Sequence, residues 1–437
     1  MNQSLLALPH GRASDTVMEV TIERILPGGF GLAHAEGKTV MVALAAPGDR
    51  VRVRVDREKG NVCFASIVEI IEPARVRVEP PCLYFGRCGG CDFQQMNYEA
   101  QLDAKLEIIK DCLHRIAKLE RVPDFDITPA PSQWRYRSRA QWQYDAGQKR
   151  LGYFETASRR VCDVAECAVL APELQRELER LRRRMADGSL PDNARYLRAV
   201  RGDEGVAVSA GVRSPSVSET GAEIHRSIYG ETYSLNAESF FQTNADLLPQ
   251  VIDASIGEAS GELAVELYCG VGFFTLPLAR RFKQVIAVEE NQSAANFARL
   301  NLANASLTNA KIENSDVAQW FETVLERGGR AQRRRRFGSS KLYDQSQKKI
   351  QSAVKAGALQ IDLLLLDPPR VGAESRVVDG ILQLLPRRIC YVSCDPATLA
   401  RDVRKIIAGG YSLDSLAAFD MFPQTHHVET IANLLAP

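Results

Sequence analysis

Four short apolar runs in the second half of the chain constrain its fold more than any other feature. They lie at residues 263–267, 284–288, 361–366 and 389–392, with stretches of helical character between them. Strands that are apolar on both faces are typical of a parallel sheet covered by helices. This pattern predicts a multidomain chain that ends in an α/β domain over residues 241–437.

A different period marks residues 1–75. Val51, Val53 and Val55 alternate with charged residues, and turn sequences that contain proline and glycine flank them. A period of two buries one face of a strand and exposes the other. Several short strands in such a segment predict a small OB-like β-barrel, an architecture that often binds nucleic acid.

Residues 76–240 are expected to form a central α+β domain. A helix is predicted at about 97–119, where Asn97 can cap the first turn and apolar residues recur at helical spacing. These apolar residues are Leu102, Leu106, Ile109, Leu113 and Ile116. We expect this helix to pack on the C-terminal domain.

A group of arginines follows the predicted helix. Arg135, Arg137 and Arg139 alternate with other residues between two tryptophans, so we expect all three on one face of a strand. Guanidinium and aromatic groups side by side suit RNA, whose bases stack and whose phosphates attract cations. An ordinary solvent-facing row of arginines is an equally good interpretation.

Length and composition limit the class of protein. With 437 residues the chain is long enough for two or three domains, and 45% hydrophobic with 25% charged residues is typical of a soluble globular protein. These values exclude a collagen, a wholly disordered chain and a small disulfide scaffold. No apolar run reaches the roughly 18 residues that span a bilayer, and the first residues lack the pattern of a secretory signal. We therefore expect a cytoplasmic, monomeric enzyme without a membrane partner.

The net charge of +1 hides a local basic tract. Ten lysines and arginines lie between Arg327 and Lys355, against the single acid Asp344. We interpret residues 327–357 as an insertion between two strands of the C-terminal domain. Such a tract can bind the phosphates of RNA, and a solvated surface loop is the alternative.

A glycine-containing turn follows the first apolar run of the C-terminal domain. Its sequence is Glu266-Leu-Tyr-Cys-Gly-Val-Gly272, and glycines here let the backbone approach a ligand at the carboxyl end of a sheet. The third glycine of a dinucleotide-binding turn is absent, which disfavours NAD. Glu289 and Asp316 come after the next two strands and are placed to accept hydrogen bonds from ribose and adenine. Together these features indicate S-adenosylmethionine (SAM).

Residues for covalent and proton chemistry lie near the last apolar runs. Asp367 ends one strand before two prolines, and Cys394 follows the next strand where a helix begins. A helix N-terminus lowers the pKa of a thiol and favours the thiolate, which makes Cys394 a candidate nucleophile; an inert buried cysteine is the alternative, since a lone buried cysteine is usually unreactive. Further on, His426, His427 and Glu429 are acid/base candidates.

Three cysteines lie within ten residues in the central region. They are Cys82, Cys88 and Cys91, with two glycines between the last two. Ten cysteines in a chain without an export signal indicate metal binding or catalysis more than disulfides. On spacing alone, zinc and an iron–sulfur cluster are both possible.

Taken together, these segments resemble the SAM-dependent RNA (uracil-5-)methyltransferases. The matching residues are Phe240-Phe-Gln-x-Asn244, LYCGVG at 267–272, DPPR at 367–370, VSCDPATLARD at 392–402 and FPQTHHVE at 422–429. The N-terminal barrel is similar to the TRAM module of this family, so the resemblance covers nearly the whole chain except the basic tract. It implies a class I, Rossmann-like SAM-methyltransferase fold for the C-terminal domain.

The resemblance also implies roles for individual residues. By motif position Cys394 is the nucleophile that adds to carbon 6 of uracil, and Glu429 is the base that removes the proton from carbon 5. The positions that line the SAM and uracil pocket are Gln242, Tyr268, Glu289, Asp316 and Asp367. Asp395 and Phe273 depart from the residues usual in the family, and we expect both to adjust binding without removing activity.

Iron–sulfur members of the family carry the C-x5-C-G-G-C pattern and bind a 4Fe-4S cluster. Their fourth ligand lies in a segment like residues 161–170, which selects Cys167 over Cys162 beside Cys82, Cys88 and Cys91. The cluster has no evident redox task in methyl transfer, so its role is interpreted as structural or RNA-positioning. The cysteines interpreted as packing residues are Cys63, Cys112, Cys269 and Cys390.

The TRAM-like module and the iron–sulfur ligands together resemble the bacterial enzymes that act on 23S ribosomal RNA. Transfer RNA is the alternative substrate, because some relatives with a TRAM module modify it. A non-catalytic RNA-binding or ribosome-assembly protein on the same scaffold is an interpretation from another class. An iron–sulfur redox enzyme is disfavoured, since no flavin or NAD fingerprint is present.

Overall fold

Three larger β-sheets follow one another along the chain in a computed structural model that describes residues 16–212, 222–326 and 360–437. The first sheet has six strands, the second five and the last eight, and a two-stranded hairpin precedes the last. The basic tract predicted at 327–357 lies outside the described residues. The three sheets correspond in order to the barrel, central and α/β regions expected from the sequence.

The N-terminal sheet encloses a small apolar core. Its strands are β1 (Val17–Thr21), β2 (Arg24–Ile25), β3 (Gly31–Ala35), β4 (Lys38–Val42), β5 (Arg50–Lys59) and β6 (Val62–Glu72). They are hydrogen-bonded in the order β1-β5-β6-β4-β3-β2. Val51, Val53 and Val55 of β5 are fully buried, while Arg52 between them forms ion pairs with carboxylates on β1 and β6. The alternation predicted for this strand is therefore confirmed.

The central sheet is covered on one face by a helix. After α1 (Tyr98–Arg115) and the short β7 (Ile127–Thr128), its elements are β8 (Arg139–Asp145), β9 (Arg150–Phe154), β10 (Val161–Asp163), α2 (Pro172–Ala186), β11 (Ala194–Arg201) and β12 (Val206–Val212). The strand order is β10-β9-β8-β11-β12. Leu174, Leu178 and Leu181 recur at helical spacing on α2 and are buried in one core with Trp142.

The predicted strand that would carry three arginines on one face is not present. Residues 131–136 are not in a strand, Arg135 has a left-handed φ of 55°, and β8 begins only at Arg139. Arg135 is therefore exposed, whereas Arg137 lines an internal cavity and Arg139 donates to the carbonyl groups of residues 237 and 239. The prediction that they share one face is wrong, because the backbone turns before the strand begins.

The C-terminal region contains an eight-stranded sheet between two layers of helices. Its elements are β13 (Ile224–Ile228), β14 (Glu231–Leu235), α3 (Leu248–Ile256), β15 (Gly261–Leu267), α4 (Thr275–Arg281), β16 (Phe282–Glu289), α5 (Gln292–Asn304), β17 (Ala310–Asn314), α6 (Val317–Glu326), β18 (Leu363–Leu366), α7 (Ser375–Leu384), β19 (Arg388–Ser393), α8 (Pro396–Ala408), β20 (Ser412–Phe419) and β21 (Glu429–Leu435). The sheet order is β17-β16-β15-β18-β19-β21-β20-β7. The first five strands of that order are parallel, and they include all four predicted apolar runs.

Two segments from the predicted central domain pack on the C-terminal sheet. The hairpin β13–β14 shares a core with β15 and β16, and the hydroxyl group of Tyr233 donates to the carbonyl group of Phe273 at 3.0 Å. Helix α1 packs on α8, and Asn97 caps it by accepting the N–H of Ala100 at 2.9 Å, as predicted. The domain boundaries at residues 75 and 240 stay an interpretation.

The buried face of α1 is broader than its apolar residues predict. Ile109 and Leu113 are buried, but Leu102 and Leu106 are only half-buried. Gln101 and Lys105 point inward instead, because both bind the chain segment that precedes β21. Within the described ranges, no helix is both long and apolar enough to cross a membrane.

Candidate active site

Neighbouring strands bring polar side chains to one edge of the C-terminal sheet. Asp367 follows β18 and Cys394 follows β19, both at the carboxyl ends of parallel strands. Strand β21 is antiparallel to β19, with Ser393 paired to Thr430, so its first residue Glu429 lies at the same edge. The structure thus brings together a thiol and two carboxyl groups that are up to 62 residues apart in the sequence.

Cys394 is half-buried at this edge. Burial raises the pKa of its thiol to about 12; the Glu429 carboxylate adds to this, and the Arg370 guanidinium opposes it. The expectation that a helix N-terminus lowers this pKa is wrong for the protein without substrate. Cys394 precedes the cap residue Asp395, whose own side chain accepts the N–H of Thr398 at 2.8 Å. Since burial disfavours the charged form, the thiol is protonated near neutral pH.

The two carboxyl groups lie beside this thiol, with Glu429 buried and Asp367 half-buried. Glu429 is 3% exposed, and burial together with Asp367 raises its pKa well above the usual value, whereas Arg370 opposes the rise. Burial also raises the pKa of Asp367 to about 7. The amide of Gln242 donates to Asp367 at 3.2 Å, and the hydroxyl group of Ser138 donates to the Gln242 carbonyl at 3.5 Å. Raised carboxyl pKa values are suited to proton transfer near neutral pH.

The glycine-containing turn after β15 opens onto free space. Tyr268, Gly270 and Gly272 all have left-handed φ angles, of 64°, 56° and 92°. A Cβ atom on Gly270 would meet no described atom within 4 Å, which leaves room for a ligand beside the backbone. Glu266 just before the turn is buried, accepts a hydrogen bond from Thr275 and has its pKa raised by burial to about 8.

The carboxylates expected at the cofactor lie at the ends of β16 and β17. Glu289 accepts the N–H groups of Gly270 at 2.9 Å and Asn291 at 2.7 Å, so it holds the turn in place. Each oxygen retains another lone pair, which leaves capacity for a ligand hydroxyl group. Asp316 is half-buried and caps α6 by accepting the N–H of Gln319 at 2.9 Å.

The two histidines near Glu429 have different surroundings. His427 is half-buried, and burial lowers the pKa of its imidazole well below the usual value, which keeps the ring neutral at pH 7. His426 pairs through its ring and its backbone N–H with Asp92. Among the acid/base candidates His426, His427 and Glu429, it is therefore Glu429 that lies at the sheet edge beside the Cys394 thiol.

Four of the ten cysteines line one cavity in the central region. They are Cys82, Cys88, Cys91 and Cys167. Cys162 does not line this cavity; it is buried under the central sheet, where its sulfur accepts from the side chain of Arg87 at 3.3 Å. In the described parts of the chain, no three cysteine, histidine or carboxylate side chains are grouped closely enough to hold a single metal ion.

The cavity also contains a cation. Arg137 lines it together with aromatic and aliphatic side chains that include Tyr153 and Val164. The Nε atom of Arg137 is buried without a hydrogen-bond partner, and the thiols of Cys91 and Cys167 lie close enough to interact electrostatically with its guanidinium. An uncompensated buried charge is costly, so the site is complementary to an anionic group.

The remaining cysteines have the packing role expected of them. Cys63, Cys112, Cys269 and Cys390 are buried in apolar cores, and all ten cysteines are free thiols. Arg370 and Asp92 were not identified from the sequence, and Arg137 was predicted to lie on an RNA-facing strand rather than in the cysteine cavity. Arg370 belongs to the DPPR segment and could have been inferred from it, whereas the positions of the other two depend on tertiary contacts.

Known protein families match two separate parts of the chain, one in the C-terminal region and one in the N-terminal sheet. A family model described as tRNA (Uracil-5-)-methyltransferase matches residues 224–436, and one described as the TRAM domain of tRNA (uracil(54)-C(5))-methyltransferase matches residues 18–76. An uncharacterized RNA methyltransferase of Aquifex aeolicus is 29% identical over 96% of this chain and 99% of its own length. The 23S rRNA (uracil(1939)-C(5))-methyltransferase RlmD of Pectobacterium atrosepticum is 29% identical over 96% of this chain and 93% of its own.

A solved structure has the same fold along nearly the whole chain. It is the tRNA (uracil-54, C5)-methyltransferase of Pyrococcus abyssi in complex with S-adenosyl-L-homocysteine. The TM-score is 0.69 at 24% sequence identity, with 96% of this chain and all of that chain covered. This chain and that methyltransferase therefore share one overall fold. Residues 224–436 belong to the RNA (uracil-5-)methyltransferase family, and residues 18–76 to the TRAM domain of that family.

Proposed function

We propose that this protein methylates carbon 5 of a specific uridine in RNA through a covalent adduct between Cys394 and carbon 6 of the base. The observation that carries the proposal is the meeting of Cys394, Asp367 and Glu429 at one edge of the sheet. Carbon 5 of uracil is a poor nucleophile until a thiolate adds to carbon 6. A single thiol beside two carboxyl groups provides the groups that this chemistry requires.

Each residue has a separate task in the proposed reaction. The Cys394 thiol releases its proton to solvent, the resulting thiolate forms a bond to carbon 6, and the electron pair of the double bond moves so that carbon 5 becomes nucleophilic. SAM, when bound, supplies the methyl group that carbon 5 takes. The Glu429 carboxylate then accepts the proton of carbon 5, the double bond forms again, and the bond to Cys394 breaks. Because burial raises the pKa of Glu429, its ionised form is a stronger base than an exposed carboxylate.

The proposed SAM and uracil pocket uses the residues around the glycine-containing turn. The free space beside Gly270 and the hydrogen bond that Glu289 accepts from the backbone of that turn fit a ligand that lies along the backbone. The residues assigned to the pocket are Gln242, Tyr268, Glu289, Asp316 and Asp367. Gln242 fixes Asp367, so these two act together at the boundary between cofactor and base.

We also propose a 4Fe-4S cluster in the cysteine cavity, held by Cys82, Cys88, Cys91 and Cys167. In a zinc site all thiolates approach one point within about 2.3 Å, whereas each iron of a 4Fe-4S cluster takes its own cysteine. Four thiols that line one cavity support a metal site there, and the C-x5-C-G-G-C pattern of the iron–sulfur members favours the cluster over zinc. The buried Arg137 would offset the negative charge of the thiolates. The cluster would hold the cysteine segment in place.

We propose 23S ribosomal RNA as the substrate. The support comes from the relatives named RlmD, which match from the TRAM region to the C-terminus at 29% identity. Transfer RNA is the second candidate, favoured by the family descriptions and by the Pyrococcus abyssi structure. A non-catalytic RNA-binding protein is disfavoured, since the thiol and both carboxyl groups are present. The monomeric state, the cytoplasmic location and the RNA-binding role of the central domain stay predictions.

The test is methyl transfer from labelled SAM into unmodified 23S ribosomal RNA and, separately, unmodified transfer RNA. Cys394→Ala is the blank for both reactions. We expect 5-methyluridine in the ribosomal RNA, and digestion then locates the nucleotide. Label only in transfer RNA would retain the chemistry and reverse the substrate assignment. No label in either RNA, with SAM binding intact, would favour the non-catalytic interpretation.

A further inference from the structure

The segment 420–427, which precedes the proposed base Glu429, is held by contacts with helix α1. Lys105 on α1 is fully buried and forms an ion pair with Asp420, and its ammonium group also donates to a carbonyl two residues later. Gln101, one turn earlier, exchanges two hydrogen bonds with Gln424, at 3.0 and 3.1 Å. These contacts fix the beginning and the middle of the segment 420–427.

A third anchor lies nearest to Glu429 and comes from the cysteine segment. One oxygen of Asp92 accepts the backbone N–H of His426 at 2.9 Å, and the other pairs with the imidazole Nδ1. The carbonyl of Gln424 accepts the N–H groups of Asp92 and Phe93, both at 3.1 Å. Two short stretches of backbone therefore run side by side, one directly after Cys91 and the other three residues before Glu429.

The turn between β2 and β3 of the N-terminal sheet packs against this third anchor. Gly29 has a φ of 81°, and a Cβ atom there would come within 2.9 Å of the Asp92 carboxylate and 3.3 Å of the His426 side chain. The ring of His426 in turn faces that of His427, with ring centroids 4.1 Å apart. The position of the chain just before Glu429 is thus set by packing on both sides of the Asp92–His426 pair.

We propose that Asp92 is a positioning residue for Glu429, and that the cysteine site influences the rate of methyl transfer through Asp92, which directly follows Cys91. This inference rests on the function proposed above. Without Asp92, the anchors on α1 still hold the start of the segment, so the protein keeps its fold. Glu429 stays paired with Phe419 in the sheet, but the segment that leads into it loses one anchor, so its carboxylate is less precisely positioned beside the uracil. Removal of the carbon 5 proton is the step that requires this carboxylate, so that step slows while thiol addition continues.

The decisive variant is Asp92→Ala. We expect kcat for methyl transfer to fall on the order of 10- to 100-fold, because a small displacement of a reacting group has effects of this size. KM for RNA is expected to stay unchanged. A denaturant-stable protein–RNA adduct is expected to accumulate, as seen on a denaturing gel with labelled RNA. Asp92→Asn keeps an oxygen for the His426 N–H and is expected to recover part of the rate.

Controls separate positioning from loss of structure. Asp103→Ala removes an exposed carboxylate from α1 and is expected to leave kcat and adduct level at the values of the unchanged protein. Iron content and visible absorbance are measured for every variant. If Asp92→Ala loses iron, His426→Ala decides the question, since it removes the imidazole contact with Asp92 from the segment beside Glu429 without altering the cysteine segment.

The outcomes distinguish the inference from the proposed function. If the wild-type protein forms no 5-methyluridine, both the proposed function and this inference are wrong. If the unchanged protein is active, two results overturn the inference alone. The first is an unchanged kcat in Asp92→Ala or, if that variant loses iron, in His426→Ala. The second is a lower kcat without adduct accumulation, which would make the Asp92–His426 contact merely structural.

Discussion

The cysteine cavity and the reaction centre both contain thiols, and they differ in what surrounds those thiols. The cavity gathers four thiols around an internal space, with a buried guanidinium that has no carboxylate partner among the described residues. The reaction centre has the single thiol of Cys394 beside Glu429 and Asp367. Several thiols around one space are suited to binding metal, whereas one thiol beside carboxyl groups is suited to covalent and proton chemistry. The neighbours of a cysteine, more than the cysteine itself, therefore indicate its use.

Loss of the Cys394 thiol is expected to have the largest effect. Cys394→Ala is expected to abolish methyl transfer, because carbon 5 is not nucleophilic without addition at carbon 6, while SAM binding by calorimetry stays intact. The matched control is Cys63→Ala, which removes a thiol buried in the N-terminal sheet and is expected to keep turnover. Full turnover by Cys394→Ala would remove the distinction drawn between the two sites.

Loss of the proposed base is expected to slow the reaction without stopping its first step. Glu429→Gln keeps the shape of the side chain but cannot accept the proton, so turnover is expected to fall by about 10²- to 10⁴-fold. The covalent protein–RNA complex is expected to accumulate under denaturing conditions. Glu258→Gln changes an exposed carboxylate at the opposite edge of the sheet and serves as the control. If no stable complex forms with Glu429→Gln, the base is another residue.

Two cysteines five residues apart test the cysteine cavity. Cys167 lines the cavity and Cys162 lies in the core, so Cys167→Ser is expected to lower iron content and visible absorbance while Cys162→Ser leaves both unchanged. The reason is that a ligand exchange from thiolate to hydroxyl weakens binding of iron, whereas a packing residue contributes no bond to it. Iron lost only in Cys162→Ser would reverse the ligand assignment.

The pH dependence of alkylation tests the surroundings of Cys394. Its pKa is raised to about 12, so the thiolate fraction and the rate with iodoacetamide are expected to rise about tenfold per pH unit from pH 7 to 9. Arg370→Ala removes the guanidinium that lowers this pKa, so alkylation at a given pH is expected to be slower. Peptide mass spectrometry follows the residue, with Cys394→Ala as the blank. A rate that already levels off below pH 7 would contradict the raised pKa.

The smallest effect is expected from deletion of residues 329–355, which belong to the basic tract outside the described residues. The deletion is expected to leave kcat unchanged and to reduce the slope of RNA affinity against salt concentration, because fewer phosphates are neutralised. Filter binding at several salt concentrations measures the slope. An unchanged slope would make the tract a linker only.

Much of the fold could be predicted from the sequence because its signals are local. The apolar runs of β15, β16, β18 and β19 and the alternation in β5 reflect burial on two faces or on one. The cap at Asn97 requires only a side chain and the next three residues. Sequence reasoning was wrong where distant segments decide the result, as for the arginines near β8 and the buried Gln101 and Lys105 of α1.

The sequence by itself determined the parallel α/β sheet, the glycine-containing turn and the order of the chemical groups, since these depend on residue type and spacing along the chain. Only the tertiary structure decided how those groups act. The tertiary structure buries the Cys394 thiol beside two carboxyl groups and so raises its pKa, whereas the helix position alone predicts a low pKa for this thiol. It also brings Asp92 to His426 across more than 300 residues. Electrostatic environment depends on every group within a few ångströms, and neighbours in space are not neighbours in sequence.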